Sequence, residues 1–288
     1  MAEQDITEKN LEALNDVFAD IVNVLLFDGR PVIKEDELEP AVTRSMIKAD
    51  DKLHEQERDV SKFWKNGEIR ISLLGFENQT KKDAKIPLRV ISYDGAAYKQ
   101  QLLDKTQKKQ YPVVTLVLYF GTKTKWKKHR CLLDCFTVPK ELEPYVSDYK
   151  INVFEIAWLS DETIAKFKSD FRIVAEFFRA KRKKVDFEGT KEDIDHIDET
   201  LKLLAALTGD VSFETVYNEK KNKTRTGGNE MDEVLERIFN KGRRKEAEEA
   251  AKKLYKNGAS IDLLVKSLDL TKEEILELTK NVVPVTVS

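Results

Sequence analysis

The run YPVVTLVLYFG, residues 111–121, constrains this chain more than any other stretch. It is apolar almost without interruption and closes on a glycine, the mark of a strand buried on both faces. Such a strand needs a layer of structure on each side, which points to a sheet flanked by helices. The neighbouring sequence supplies those layers. Leu11, Leu14, Phe18, Ile21 and Leu25 recur at helical spacing between about residues 8 and 27, ending before FDGRP. DVSKFW and EIRISLLGF flank Asn66-Gly67, a hairpin signal. Residues 35–62, polar, read as helical or irregular on the way into that hairpin. LRVISYDGAAYKQQLLDK, 88–105, reads as a helix despite Gly95, with Leu88, Ile91, Ala96, Tyr98 and Leu102 as its apolar face. KINVFEIAWL, 150–159, reads as another strand. The order predicts an α/β fold, a mixed β-sheet core flanked by helices.

Strand signals fade after residue 160, and helices are expected at 161–183 and 191–208. NEKKNKTRTGGNE, 218–230, is a polar linker. Beyond it, helices are expected near 231–256, 260–268 and 271–280, the last opened by a capping box from Thr271 to Glu274. The expected organisation is a core over 1–160, a helical extension over 161–217, the linker, and a helical C-terminal region over 231–288. The last two helices can be drawn as a helix-turn-helix. Glu273, Glu274 and Glu277 on the would-be recognition helix would then face phosphates and be repelled. A packing or homo-oligomerisation module is the better reading.

Of the 288 residues, 41% are hydrophobic and 35% charged, a composition suited to a soluble globular protein. No apolar run reaches about 18 residues, and the acidic start MAEQDITEKN lacks the basic and apolar regions of a signal peptide. A cytoplasmic protein with no membrane partner is therefore expected. Neither G-x-G-x-x-G nor G-x-x-x-x-G-K-[ST] occurs, so no nucleotide cofactor is indicated. His54, His129 and His196 have no Ser or Cys nucleophile motif beside them, which disfavours triad catalysis. Cys131, Cys135 and His129 amount to three zinc ligands with no fourth, so reduced thiols beside a strand are expected instead.

A net charge of -2 argues against a uniformly basic binder, but two runs are basic and interleaved with aromatics: KTKWKKHR, 123–130, and FFRAKRKK, 177–184. Lys123, Lys125, Trp126, Lys127, Arg179, Lys181 and Arg182 are the candidate DNA contacts, through phosphates and by stacking on bases. A merely solvated basic face is the alternative for each run.

The chemistry is concentrated in RISLLGFENQT, 70–80, where a strand built for a core ends in Glu77, Asn78 and Gln79. Residues two apart on a strand share a face, so Glu77 and Gln79 are expected to project together. Asp59 opens the first arm of the hairpin, and the hairpin is expected to bring it beside Glu77. Two converging carboxylates are the hard oxygen donors that Mg²⁺ or Mn²⁺ prefers, an arrangement suited to phosphodiester hydrolysis. The alternative is bland: a strand-end Glu, a turn Asp and a Gln bound to loop backbone.

Asp59 and Glu77-Asn78-Gln79, placed after an amphipathic helix and before PLRVISYDGAAYKQQL, resemble the PD-(D/E)XK nuclease superfamily. LLGFENQT, IPLRVISYDGAAY and YPVVTLVLYFGTKTKW together look like the recombination-promoting nuclease and putative transposase family, whose members carry Glu-x-Gln where the superfamily most often has lysine. The resemblance covers roughly residues 10–160. It implies a restriction-endonuclease-like core and a magnesium-dependent DNA endonuclease, with Asp59 and Glu77 as metal ligands and Gln79 orienting water or phosphate. It also implies a third acid from the first helix. Asp20, bordering the apolar stripe, is preferred over Asp16. Gln79 cannot supply a positive charge, so slow cleavage, or a nuclease-fold module that binds nucleic acid or protein without turnover, stays open.

Overall fold

The computed structural model describes residues 11–41, 44–49, 52–57, 60–76, 84–106, 109–187, 194–210, 212–213, 215, 228–268 and 270–282. The chain divides into two compact units, Met1–Arg182 with Ile194–Asn222, and Lys183–Asp193 with Lys223–Ser288.

The first unit is built on a five-stranded mixed sheet. Its strands are β1 (Leu38–Pro40), β4 (Val60–Trp64), β5 (Ile69–Phe76), β6 (Val113–Tyr119) and β7 (Asn152–Glu155), in the spatial order β1-β4-β5-β6-β7. The β1–β4 and β4–β5 pairs are antiparallel, while β5–β6 and β6–β7 are parallel. β6 sits inside the sheet and is buried on both faces, as its unbroken apolar sequence requires.

The Asn66-Gly67 signal makes a hairpin whose last pair is Trp64 with Ile69. Gly67 is needed for space, because a Cβ there would stand 2.1 Å from the Trp64 ring. Glu68, at φ 48°, takes the left-handed position.

Residues 44–49 and 52–57, within the stretch read as helical or irregular, instead form a separate two-stranded antiparallel ribbon of β2 (Arg44–Ala49) and β3 (Lys52–Glu57). Ladder hydrogen bonds, rather than an apolar stripe, define these strands, so their polar sequence carried no periodic signal. The 150–159 strand is also shorter than expected: after Glu155 the chain turns into a 3₁₀ turn at Ile156–Trp158.

Helices cover both faces of the sheet. α1 (Asn15–Phe27) lies on the face carrying Lys62, whose amine donates to Asn15 Oδ1 at 2.5 Å and sits 5.7 Å from the Phe18 ring centroid. Leu11, Phe18 and Ile21 of the predicted stripe are fully buried. α2 (Ile86–Leu103) covers the opposite face, where Ile86, Val90 and Tyr93 pack with Leu74, Val117, Tyr119 and Trp126.

The helix at α2 is where the sequence placed it, but its buried face is different. Leu102 is 75% and Tyr98 40% exposed, while Asp94 and Gln101 are buried. The reason is hydrogen bonding. Gln101 brackets Tyr111, donating to its carbonyl at 3.1 Å and accepting from its N–H at 2.9 Å, and Asp94 accepts from two strand-side hydroxyls. A face satisfied by polar partners is invisible to apolar periodicity.

The expected helix at 161–183 is two helices, α3 (Asp161–Ile164) and α4 (Phe171–Lys183). Phe167 and Phe171 pack edge to face across the break, and Phe120, at the end of β6, meets Phe171 and Phe178. α5 (Ile197–Thr208) ends at Gly209, at φ 67°, a left-handed C-cap.

The second unit contains α6 (Gly228–Lys256), α7 (Ile261–Ser267) and α8 (Lys272–Thr279). Ala251, Leu264, Leu270 and Ile275 form its core. The predicted capping box is present: Glu274 N–H donates to Thr271 Oγ1, and Thr271 N–H donates to Glu274 at 2.8 Å. Glu273, Leu276 and Glu277 lie on the exposed side of α8.

Candidate functional site at the tip of the central strands

β4 begins at Val60, which pairs with Leu73, and β5 runs on to Phe76 beside Tyr119 of β6. The chain thus enters β4, leaves β5 and leaves β6 at one end of the sheet. Asp59 is the residue before Val60, and Glu77, Asn78 and Gln79 follow Phe76 in sequence. Asp59, Glu77 and Gln79 themselves lie outside the described residues.

Asp20 belongs to α1. Its Oδ2 accepts three hydrogen bonds, from the Lys168 N–H at 2.9 Å, the Ser169 N–H at 2.8 Å and the Ser169 hydroxyl at 2.7 Å. The contact pins the segment that leads into α4, two residues before Phe171, whose ring centroid is 6.3 Å from that of Phe120. Asp20 is therefore held toward the end of the sheet where β6 exits. Asp16, one turn earlier, is engaged elsewhere: its Oδ2 lies 2.7 Å from Nε2 of His196.

Burial opposes protonation of His196, yet the hydrogen bond and charge of Asp16, with Asp170 and Glu199 nearby, raise its pKa above the ordinary value. Lys62, on the same face, is held below its ordinary value by burial, with Asp16 acting in the opposite direction. Among the described residues, no group of three or more His, Cys, Asp or Glu is arranged to hold a metal ion.

The α2 face carries a buried polar network that sequence reading missed. Asp94 is 2% exposed and accepts from the Thr115 hydroxyl at 2.6 Å and the Tyr149 hydroxyl at 2.5 Å. Arg70 donates to Ser61 Oγ at 2.9 Å, and Ser61 and Ser72 are joined at 2.9 Å. Burial pushes the Arg70 pKa down, with Tyr111 and Asp94 opposing it. The signal available in the sequence was spacing: Val90, Asp94, Ala97 and Gln101 fall three to four apart, one helix stripe with two polar members. Nearer the tip, Arg89 is exposed and donates to the Tyr93 hydroxyl at 3.4 Å. Tyr98 accepts from the Val113 N–H at 3.0 Å and so braces the start of β6.

The first basic run keeps its lysines exposed but not its tryptophan. Lys123, Lys125 and Lys127 are exposed, whereas Trp126 is 3% exposed and packs edge to face on Tyr119 at 5.1 Å between ring centroids. Its indole is core, which corrects its assignment as a stacking surface. Glu155 accepts from the Trp126 N–H at 2.6 Å and pairs with Arg130 at 3.2 Å. In the second run, Arg179 is paired with Asp161, and Lys181 is half-buried. Arg182 donates to the Ala157 carbonyl at 2.6 Å.

Cys131 and Cys135 are both free thiols, and Cys135 donates to the Ala84 carbonyl at 3.3 Å. Burial raises the Cys131 pKa, so it is not an activated thiolate.

No curated protein and no solved structure matches the chain. No helix among the described residues is long and apolar enough to cross a membrane. A family model described as "Putative transposase, YhgA-like" matches residues 49–208. That span holds the β4–β5 hairpin, α2, β6, β7 and both basic runs, and it exceeds half of the chain. The protein therefore belongs to the YhgA-like putative transposase family.

Proposed function

We propose that this chain is a magnesium-dependent DNA endonuclease that hydrolyses phosphodiester bonds. The observation that supports it is topological. The start of β4 and the end of β5 meet at one end of a mixed sheet, so the chain segments carrying Asp59 and Glu77-Asn78-Gln79 depart from the same place. Family membership supports the same reading.

Asp59 and Glu77 would hold Mg²⁺, with Asp20 as a third carboxylate; Mn²⁺ can replace it. These donors are all oxygen, which fits a hard cation, and Asp20 keeps Oδ1 clear of the bonds that Oδ2 makes with Ser169. When bound, the ion acidifies a water and neutralises charge on the scissile phosphate. Gln79 orients the water or a phosphate oxygen through its carboxamide, donating from its amide nitrogen and accepting at its carbonyl. It brings no positive charge to the transition state, so turnover is slow relative to a lysine-bearing site. The second unit is assigned to self-association, because Glu273 and Glu277 on the exposed side of α8 repel phosphate.

Calorimetric titration with Mn²⁺ tests the ion site. Wild-type protein is expected to bind, and Asp59→Ala and Glu77→Ala to lose binding at least about tenfold, in line with removal of one of few charged ligands. Equal binding by all three proteins would remove the carboxylates from the site.

A further inference from the structure

The two basic runs are separate in sequence but converge on one side chain. The Trp158 ring has Lys125 Nζ 5.4 Å and Arg182 Cζ 4.6 Å from its centroid. Its indole N–H donates to the Gly121 carbonyl at 2.9 Å, which fastens this cluster to the chain just beyond β6. Gly121 permits the turn, since a Cβ there would stand 1.9 Å from the Tyr119 hydroxyl, which donates to the Thr124 carbonyl at 2.9 Å. The 121–130 loop is thereby held at the end of the sheet where the candidate site lies.

Three acids of the flanking segments are committed to other partners. Glu155 is tied to Trp126 and Arg130, Asp161 to Arg179, and Glu176 to Arg172. Lys123, Lys125, Lys127 and Lys128 are all exposed, and among the described residues none has a carboxylate partner. Neither tryptophan is a free stacking platform, because Trp126 is buried and the half-buried Trp158 ring already holds Lys125 and Arg182. Cations without available ring faces recognise phosphates rather than unstacked bases.

We infer that the 123–128 loop, braced on Trp158 and Arg182, is a phosphate-backbone track for duplex DNA, sequence-independent and set beside the candidate site. The inference rests on the nucleic-acid reading above, but its test needs no cleavage. The full chain is titrated into fluorescent duplex and single-stranded DNA of the same sequence in EDTA, across a salt series. One variant carries Lys123→Gln, Lys125→Gln, Lys127→Gln and Lys128→Gln; a second carries arginine at the same four positions.

Wild-type protein and the arginine variant are expected to bind duplex at least as tightly as single strands, with steep salt dependence. The glutamine variant should bind duplex about tenfold or more weakly, with a log–log salt slope shallower by about 3 to 4 units, near 0.9 for each phosphate no longer neutralised. An unchanged slope in the glutamine variant, an absence of duplex binding by wild-type protein, or a clear preference for single strands would each overturn the track. A protein that binds duplex in this way yet never cuts would instead indict the endonuclease assignment.

Discussion

The two faces of the central sheet solve burial differently. On the α1 side, Leu73, Leu116 and Leu118 are fully buried, and Lys62 is a desolvated cation over Phe18 and Asn15. On the α2 side, the half of the sheet away from the tip carries two hydrogen-bonded groups, Arg70 with Ser61 and Ser72, and Thr115 with Asp94 and Tyr149, and the Asp94 charge acts on Arg70. Apart from the Phe63–Tyr111 ring contact at the far end, apolar packing on this face lies toward the tip, with Leu74, Val117, Tyr119 and Trp126. Apolar contact is non-directional and tolerates sliding, whereas a buried network has one satisfied arrangement. The polar face thus fixes where α2 sits along β5 and β6.

Asp94→Ala should have the largest effect. It strips the acceptor from the buried Thr115 hydroxyl and the half-buried Tyr149 hydroxyl and leaves Arg70 without its nearby carboxylate, at a cost of about 3–5 kcal/mol in urea unfolding. On the other face, Lys62→Met should change stability by less than about 1 kcal/mol, or raise it, because an apolar chain of similar length replaces a desolvated amine. Comparable destabilisation of the two variants would erase the contrast between the faces.

The smallest effect belongs to the rim of the α1 face. His196 has a folded pKa raised above its unfolded value, so its contribution is fully present below pH about 6.5 and is lost as pH rises through the folded pKa. Because the Asp16 side chain is 41% exposed, solvent screening limits the effect to under about 1 kcal/mol. Melting temperature should fall slightly as pH rises from 6 to 8, and Asp16→Asn should flatten that slope.

What the sequence disclosed follows the same division. Apolar patterning announced α1 and the doubly buried β6, the Asn66-Gly67 turn signal the hairpin, and local capping chemistry α8. It failed where polar atoms took over. Asp94 and Gln101 turned the buried face of α2 away from Leu102 and Tyr98, and the β2–β3 ribbon has no apolar alternation to read. Trp126 misled in the opposite sense: its basic neighbours suggested a surface ring, but its large apolar area was claimed by Tyr119. Of the candidate site, the strand end at Phe76 was legible, because a core-type strand running into Glu77-Asn78-Gln79 is a local contradiction; Asp59, Glu77 and Gln79 lie outside the described residues. The engagement of Asp20 with Ser169 was not, because it joins residues 149 apart.

We propose above that the segment after β5 carries a metal-dependent nuclease site. Nicking and linearisation of supercoiled plasmid by purified full-length protein tests it, in Mg²⁺, Mn²⁺, Ca²⁺ or EDTA, for wild type, Glu77→Ala and Gln79→Lys. The expected result is cutting by wild type in Mg²⁺ or Mn²⁺ only, loss of at least about 100-fold in Glu77→Ala, and cutting by Gln79→Lys at or above the wild-type rate. Cutting that survives Glu77→Ala, or none with any ion, would contradict it.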